Sequence, residues 1–287
     1  MRRARPVIAL GLFVACASAP PSAPQRPPAT AAPTCVPPVP ASETLLQFPT
    51  ELAASQGFWL GAPRRVVPTE DGRLVLFLRS SPGAGAAGKI ALKIDARGTS
   101  WRDRAWHRAF YQHYGDLPVD GHADAIAALA KAYPEIDPSR VGIYGWSNGG
   151  YVSAMAILRR PDVFKVAVAG APVADLRDYD AIMEAFFGPP GDRSWDEASL
   201  LTWAAKPVTP SRPARPLLLI HGTADDNVYV AHALKLAAAM GLAGRPVEFM
   251  PLLDQTHMVS APDSAAAVSR RIAAHFRAHL YGPPCGQ

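Results

Sequence analysis

The stretch Gly145-Trp146-Ser147-Asn148-Gly149-Gly150-Tyr151 decides the fold class of this chain. It contains the pattern G-x-S-x-G, in which a serine lies on a strained turn between a strand and a helix. An apolar run at 141–144 precedes the pattern, and residues with helical spacing follow at 151–160. The glycines of the stretch let the helix approach the strand closely. The stretch therefore predicts a nucleophilic serine at position 147.

Strand-like and helix-like segments alternate on both sides of this turn. Strand-like runs lie at 90–94, 141–144, 166–169, 217–220 and 247–252, and helix-like runs at 121–133, 149–160, 179–187, 231–240 and 264–280. This alternation is typical of a mostly parallel, doubly wound sheet with helices on both faces. We therefore expect an α/β-hydrolase fold, with functional side chains in the loops beyond the carboxyl ends of the strands.

Two later loops carry residues that can complete a catalytic triad with the serine. A serine hydroxyl needs a general base, and the base needs an acid that orients it. In this fold the acid comes after the serine, and the histidine comes last. The run 217–220 leads into Asp225 and Asp226, and spacing alone does not choose between them. The run 247–252 leads to His257, which we predict to be the base.

The seven other histidines fit the role of base less well. Three of them precede the serine in the sequence, which breaks the order of the fold. His221 ends a strand-like run, where we expect a structural role. We expect solvent exposure for three that lie on helix-like runs: His232, His275 and His279.

The predicted chemistry is acyl transfer to the serine. His257 takes the proton as the Ser147 hydroxyl attacks an acyl carbon, and water then hydrolyses the acyl-enzyme. The tetrahedral oxyanion needs preorganised donors, and the backbone N–H of Asn148 is the first of them. We expect a peptide or another small acyl group as the substrate, and no metal or cofactor.

Several motifs resemble those of the prolyl oligopeptidase family of serine peptidases, and above all its dipeptidyl-peptidase-IV-like branch. The opening stretch is similar to the G-W-S-x-G-G-Y elbow of that branch, and residues 95–99 resemble its D-x-R-G-[TS] strand end. Residues 221–228 resemble its acid loop, in which the first aspartate belongs to the triad, so the resemblance implies Asp225. The likeness covers roughly residues 89–281 and implies a serine-type peptidase.

The resemblance also implies a primary specificity pocket. By position, Tyr179 and Val173 line this pocket, Asn227 donates a hydrogen bond to a substrate carbonyl, and Trp146 is a further substrate-binding residue. A second tyrosine that the branch has in this pocket falls at Met183. From the residues alone, a core aromatic at 179 and a helix cap at 227 remain alternatives.

The chain departs from the family before residue 89. Residues 58–63 and 71–73 resemble the opening of the family's β-propeller, but most of the propeller is absent. Also absent is the central Y-x-G-P strand, whose tyrosine supplies the second oxyanion donor. We expect the apolar run 74–78 to replace it, between the strands at 90–94 and 141–144, with backbone donors from the loop 81–88. A carboxylesterase and a non-catalytic remnant of the fold are the alternatives to a peptidase.

The N-terminus is typical of an export signal. Three arginines precede an apolar run at 7–15 that is too short to span a bilayer. Cys16 ends a stretch that resembles a bacterial lipobox. We expect residues 1–16 to be a lipoprotein-type signal peptide and the chain to be exported to the periplasm or cell envelope, where a lipid on Cys16 makes its only membrane contact. Ordinary signal cleavage near 17–19 is the alternative.

The rest of the chain divides into three segments. Residues 17–44 are a Pro/Ala-rich linker, residues 45–88 resemble the start of a propeller with a β-hairpin, and residues 89–282 form the catalytic domain. Without the three arginines of the leader, 26 basic residues face 24 acidic ones, so we expect no nucleic-acid partner. In an oxidising compartment Cys35 and Cys285 could form a disulfide, and the sequence leaves this pairing undecided.

Overall fold

The structure is a computed structural model that describes residues 64–68, 75–78, 92–94, 96–99, 103–133 and 136–280. Cys16, Cys35 and Cys285 lie outside these residues, as do the signal peptide, the linker and the loop 81–88. Of the segment 45–88, two strands are described. Within the described ranges, no helix has the length and apolar character needed to cross a bilayer.

Four parallel strands form the main sheet. They lie side by side in chain order: β4 (Val141–Trp146), β5 (Phe164–Gly170), β6 (Leu217–Gly222) and β7 (Val247–Leu252). β6 is buried along its whole length, and β5 is buried at all but one position. Both strands consist mainly of apolar residues, because a parallel sheet that is covered on both faces leaves no solvent side.

Helices cover both faces of this sheet, as the sequence predicts. The described helices are α1 (Arg104–Arg108), α2 (Leu117–Ala132), α3 (Asn148–Arg159), α4 (Glu184–Phe187), α5 (Arg193–Ala198), α6 (Leu200–Ala204), α7 (Ala231–Leu242) and α8 (Pro262–Leu280). Ala169 and Leu219 belong to the larger apolar cluster with α2, α3 and α7. Val168 and Leu218, their neighbours in sequence, pack in a second cluster with Val268 of α8. Alternate residues thus point to opposite faces.

A second, antiparallel sheet holds the order β1 (Arg64–Pro68), β2 (Val75–Leu78) and β3 (Leu92–Ile94). The predicted hairpin is confirmed, because β1 and β2 pair antiparallel. The expectation that the second strand stands between β3 and β4 is wrong, since β2 pairs with β1 on one edge and with β3 on the other. A short connection favours such antiparallel neighbours. Among the described strands, β4 therefore pairs with β5 alone.

Two histidines that we expected in solvent are buried instead. His232 on α7 is 3% exposed and His275 on α8 is 1% exposed. The ring nitrogen Nδ1 of His232 accepts a hydrogen bond from the backbone N–H of Ala174 at 3.3 Å. Nδ1 of His275 lies 3.0 Å from the Glu248 carboxylate on β7. Each imidazole faces the interior from its helix, so a place on a helix-like run does not by itself indicate exposure.

Candidate active site

Ser147 lies on the sharp turn between β4 and α3. Its backbone has φ 57° and ψ −120°, in the region that costs a non-glycine residue about 1–3 kcal/mol. The turn is held by a 2.8 Å hydrogen bond from the N–H of Ser147 to the carbonyl of Gly170. A Cβ atom on Gly150 would lie 2.2 Å from that same carbonyl oxygen. The predicted close approach of helix and strand is therefore present and depends on a glycine here.

The structure brings Ser147, His257 and Asp225 together at the carboxyl edge of the parallel sheet. The Ser147 hydroxyl lies 2.9 Å from Nε2 of His257, and Nδ1 of His257 lies 2.8 Å from the Asp225 carboxylate. Because a carboxylate only accepts, the Nδ1–H group is the donor to it. Nε2 of the neutral ring is then the acceptor for the serine proton, which is the arrangement a general base requires.

Asp225 is fixed by four contacts, and its side chain is fully buried. One carboxylate oxygen accepts hydrogen bonds from the backbone N–H groups of Asn227 (3.0 Å) and Val228 (2.9 Å). The other oxygen faces His257 and lies 3.3 Å from Nε2 of His221. The neighbouring Asp226 is exposed, so it is Asp225 that the fold places against the base.

His221 has the structural position that we predicted. Burial lowers the pKa of its imidazole, and its Nε2 lies 2.7 Å from the carbonyl oxygen of Val228. A carbonyl accepts, so Nε2 carries the proton and the neutral ring donates it. His221 therefore clamps the loop that carries the acid while it also faces the Asp225 carboxylate.

The loops that carry the acid and the base are tied to each other. The N–H of Asp254 donates to the Thr223 hydroxyl at 2.9 Å, and the N–H of Ala224 donates to the carbonyl of Gln255 at 3.1 Å. A Cβ atom on Gly222 would lie 2.2 Å from the carbonyl oxygen of Gln255. This contact distance explains why a glycine ends β6, and it sets the spacing between the two loops.

Trp146 holds the backbone of the loop that carries His257. Its indole N–H donates to the backbone carbonyl of His257 at 2.7 Å, and its ring packs against the second apolar cluster. These contacts give Trp146 a role in positioning the His257 loop, and the substrate-binding role that the resemblance implied for it stays a prediction. The ring also fills the space above Gly170, where a Cβ atom would lie 1.9 Å from it.

Asn148 is the first residue of α3, directly after the serine. The first N–H groups of a helix have no acceptor within the helix, and they lie at the positive end of its dipole. The backbone N–H of Asn148 is thus available to an oxyanion, in the place that the sequence predicts. The loop 81–88, from which we expected the second donor, lies outside the described residues.

Tyr114 also lies at this site, although sequence reasoning missed it. It is 9% exposed, and its hydroxyl donates to the side-chain oxygen of Asn148 at 2.5 Å. Burial, and to a lesser extent Tyr179, raises the pKa of Tyr114 to about 12, so the hydroxyl keeps its proton at neutral pH. The ring packs against Phe110 and Tyr151, with centroid distances of 4.6 and 5.1 Å.

The predicted pocket residues divide into two groups. The hydroxyl of Tyr179 donates to the side-chain oxygen of Asn227 at 3.0 Å, beside the acid loop. That bond leaves the amide nitrogen of Asn227 as the donor for a substrate carbonyl, which suits its predicted role. Val173 and Met183 are 5% and 4% exposed and belong to the larger apolar cluster. These two residues lie in the core, whereas Tyr179 is partly exposed and Asn227 is exposed.

Comparison with known proteins agrees with this geometry. The model of the prolyl oligopeptidase family matches residues 81–282. This chain belongs to the prolyl oligopeptidase family. The resemblance found in the sequence is thereby confirmed.

Relatives within the family are larger proteins. The chain is 36% identical to human dipeptidyl peptidase 8 over 196 residues, which cover 67% of this chain and 21% of that protein. Human prolyl endopeptidase FAP is 33% identical over 183 residues, covering 62% and 23%. The chain thus spans about a fifth of the length of the dipeptidyl peptidase 8 that it matches.

A solved structure is similar as well. The crystal structure of Porphyromonas gingivalis dipeptidyl peptidase 4 aligns with a TM-score of 0.61 and 29% sequence identity, covering 67% of this chain and 27% of that one. Together with the parallel sheet and its two helical layers, this match confirms the α/β-hydrolase fold.

Proposed function

We propose that this member of the prolyl oligopeptidase family is a serine hydrolase that cleaves peptide or amide bonds through an acyl-enzyme. The supporting observation is the hydrogen-bonded chain from Ser147 through His257 to Asp225, with distances of 2.9 and 2.8 Å. The peptide bond is proposed as the target because the relatives are named as dipeptidyl peptidases and prolyl endopeptidases.

The described residues supply a group for each step of this reaction. Nε2 of His257 takes the hydroxyl proton as the oxygen of Ser147 attacks the carbonyl carbon, and the buried Asp225 stabilises the imidazolium that forms. The N–H of Asn148 donates to the oxyanion. The imidazolium then gives its proton to the leaving amine, and the same base activates the water that hydrolyses the acyl-enzyme.

The substrate is proposed to be a short peptide or a peptide-like amide. Tyr179, which is partly exposed, and Asn227, which is exposed, lie beside the acid loop, and we expect a substrate side chain and carbonyl to meet them. Their contact surface combines an aromatic ring with one amide donor. That combination suits a compact apolar side chain next to a hydrogen-bonded backbone carbonyl.

A fluorophosphonate probe tests the nucleophile. The wild-type protein is expected to be labelled, Ser147→Ala is expected to stay unlabelled, and Ser269→Ala on α8 is the matched control that keeps full labelling. Loss of the nucleophile is expected to reduce kcat about 10⁶-fold. A wild-type protein that stays folded but is never labelled would favour the non-catalytic remnant.

A pair of chromogenic substrates then separates peptidase from carboxylesterase. A prolyl anilide reports amide cleavage, and a short-chain nitrophenyl ester reports ester cleavage. We expect turnover of both, with loss of both in Ser147→Ala. Turnover of the ester alone would replace the peptidase proposal with the carboxylesterase alternative.

We also propose that the protein is exported and anchored through a lipid on Cys16. Support comes from the charged start, the short apolar run and the lipobox-like stretch of the sequence. Metabolic labelling with a radioactive fatty acid is expected to mark the wild-type protein and not Cys16→Ser. A wild-type protein found unlabelled in the soluble periplasmic fraction would contradict this anchor.

A further inference from the structure

A cavity of about 390 Å³ lies at the amino end of the parallel sheet. Its walls come from the end of α3, the turn before β5 and the loop before β6. The triad lies beyond the opposite ends of the strands, and a strand of six or seven residues spans about 20 Å. The cavity is therefore distinct from the active site, and its volume is in the range of small-molecule sites.

Three cations surround a single aromatic ring beside this cavity. Nζ of Lys206 lies 3.1 Å from the ring centroid of Trp203, and the guanidinium carbons of Arg159 and Arg212 both lie 5.3 Å from it. Cation–π attraction holds each group near the ring, but the cations repel one another. Burial lowers the pKa of Lys206, and the charges of Arg212 and Arg159 lower it further.

The carboxylates nearby are shared with other arginines, and Glu197, whose charge acts on Lys206, pairs with Arg193 at 2.6 Å. Asp120 pairs with Arg159 at 3.4 Å but also with Arg160 at 3.3 Å. Asp162, which lies on the cavity wall, is already held by Arg160 at 2.9 Å.

Two of the cations have no counter-ion of their own. Within the part of the chain that the structure describes, no carboxylate forms an ion pair with Lys206 or Arg212. Two positive charges are thus left for an anion to neutralise.

Two hydroxyl groups complete the lining. Thr209 and Ser211 both line the cavity, and their hydroxyl oxygens lie 3.1 Å apart. Guanidinium groups bind carboxylates and phosphates as planar forks, and a phosphoryl group has a third oxygen that accepts a further hydrogen bond from a hydroxyl. A tetrahedral anion accepts hydrogen bonds from such a set more completely than a planar carboxylate does.

We propose that this cavity binds a small molecule that carries a phosphoryl group, held by Arg159 and Arg212 with the hydroxyls of Thr209 and Ser211. The site requires no turnover at Ser147, and it stands whether or not the chain is a peptidase. The bound phosphoryl group neutralises positive charge of the two arginines beside the Trp203 ring.

Calorimetric titration of the full chain with pyrophosphate tests the site. The wild-type protein is expected to show saturable binding at constant ionic strength, and Arg212→Gln is expected to weaken it at least tenfold. Arg270→Gln removes the same charge from an exposed position on α8 and is expected to bind like the wild type. Thr209→Ala, which keeps every charge, is the second cavity variant and is expected to weaken binding severalfold.

Three results would overturn the proposal. One is the absence of saturable heat with the wild-type protein. Another is equal affinity in the wild type, Arg212→Gln and Arg270→Gln, because a general effect of phosphate salts on the protein surface would be shared by all three. The last is tighter binding of tricarballylate than of pyrophosphate, which would assign the cavity to a carboxylate ligand.

Discussion

Two histidine–carboxylate pairs of this chain are alike in distance and differ in surroundings. His257 lies 2.8 Å from Asp225, and His275 lies 3.0 Å from Glu248. The other nitrogen of His257 meets the Ser147 hydroxyl at 2.9 Å. The other nitrogen of His275 is buried and has no hydrogen-bond partner among the described residues. A paired imidazole is therefore not a catalytic base unless its free nitrogen faces a reacting group.

The two pairs differ in which partner, the carboxylate or the imidazole, is fully buried. In the active-site pair the carboxylate is the fully buried partner, and the His257 side chain is 15% exposed. In the other pair the His275 side chain is fully buried and Glu248 is 47% exposed, with Arg271 as a further partner. Charges interact more strongly away from water, so Asp225 acts more strongly on the imidazolium that forms in the reaction than a carboxylate shared with an arginine and solvent acts on its histidine.

The largest effect is expected from removing the two imidazoles in turn. His257→Gln is expected to lower kcat about 10⁶-fold, because no other group can take the serine proton. His275→Gln is expected to keep kcat within twofold while it lowers the free energy of unfolding by about 1–3 kcal/mol, the usual result of disturbing a buried polar group. Turnover of a prolyl anilide and urea unfolding measure the two effects. A folded His275→Gln protein that has lost activity would contradict the distinction between the pairs.

The carboxylates provide the next comparison. Asp225→Asn is expected to lower kcat about 10⁴-fold, because an amide would favour the wrong tautomer of His257. Glu248→Gln and the exposed Asp226→Asn are the matched controls, and both are expected to keep kcat within twofold. The three variants are compared by steady-state kinetics on one substrate. A larger loss of kcat in Asp226→Asn than in Asp225→Asn would make Asp226 the residue that orients His257.

The pH dependence of stability tests the second pair, His275 and Glu248. Burial lowers the pKa of His275 and also that of His221 and His232, so near pH 6.5 the folded protein holds fewer protons on these groups than the unfolded chain does. The unfolded chain binds their protons at the ordinary pKa of about 6.5. Below that pH the unfolded state holds more protons, so the free energy of unfolding falls as the pH drops.

The expected slope is at most about 1.4 kcal/mol per pH unit for each such histidine. Urea unfolding at pH 7.5, 6.0 and 5.0 measures it, and His275→Gln is expected to show a shallower slope than the wild-type protein. Equal slopes in the two proteins would show that His275 does not titrate with unfolding.

Two members of the triad were predictable from the sequence because each follows a strong local signal. The glycine-rich elbow marks Ser147, and an apolar run before the last helix marks His257. The choice between Asp225 and Asp226 needed the family resemblance. In the structure that choice depends on which carboxylate receives the N–H groups of the loop, and spacing does not encode this.

Other features depend on contacts between distant segments. The place of β2 follows from pairing with β1 and β3, and an apolar run does not specify its neighbours. The burial of His275 did have a signal, because it lies three positions after Ile272 and seven after Val268 on the apolar stripe of α8. Tyr114 meets Asn148 across 34 residues, and the only hint in the sequence is the aromatic-rich run 110–114.

The smallest predicted effect concerns Asn148, the residue after the serine, whose backbone N–H is the predicted oxyanion donor. Tyr114→Phe removes one hydroxyl and keeps the ring that packs on Phe110. Without that donor the Asn148 side chain loses its 2.5 Å hydrogen bond, and the backbone N–H of Asn148 is held less rigidly toward the oxyanion. We expect kcat to fall about tenfold with little change in KM, because a donor to the oxyanion acts mainly in the transition state.

Tyr151→Phe is the matched control, since its buried hydroxyl also makes one hydrogen bond, a 2.7 Å bond to the carbonyl of Ala198. Each variant is expected to lose about 1 kcal/mol of stability from its missing hydrogen bond. If both variants lowered kcat equally, the effect of Tyr114 would be a general loosening of the core. A kcat that falls in Tyr114→Phe alone, at equal stability, would show a specific role of this hydroxyl in catalysis, as expected if it acts through Asn148.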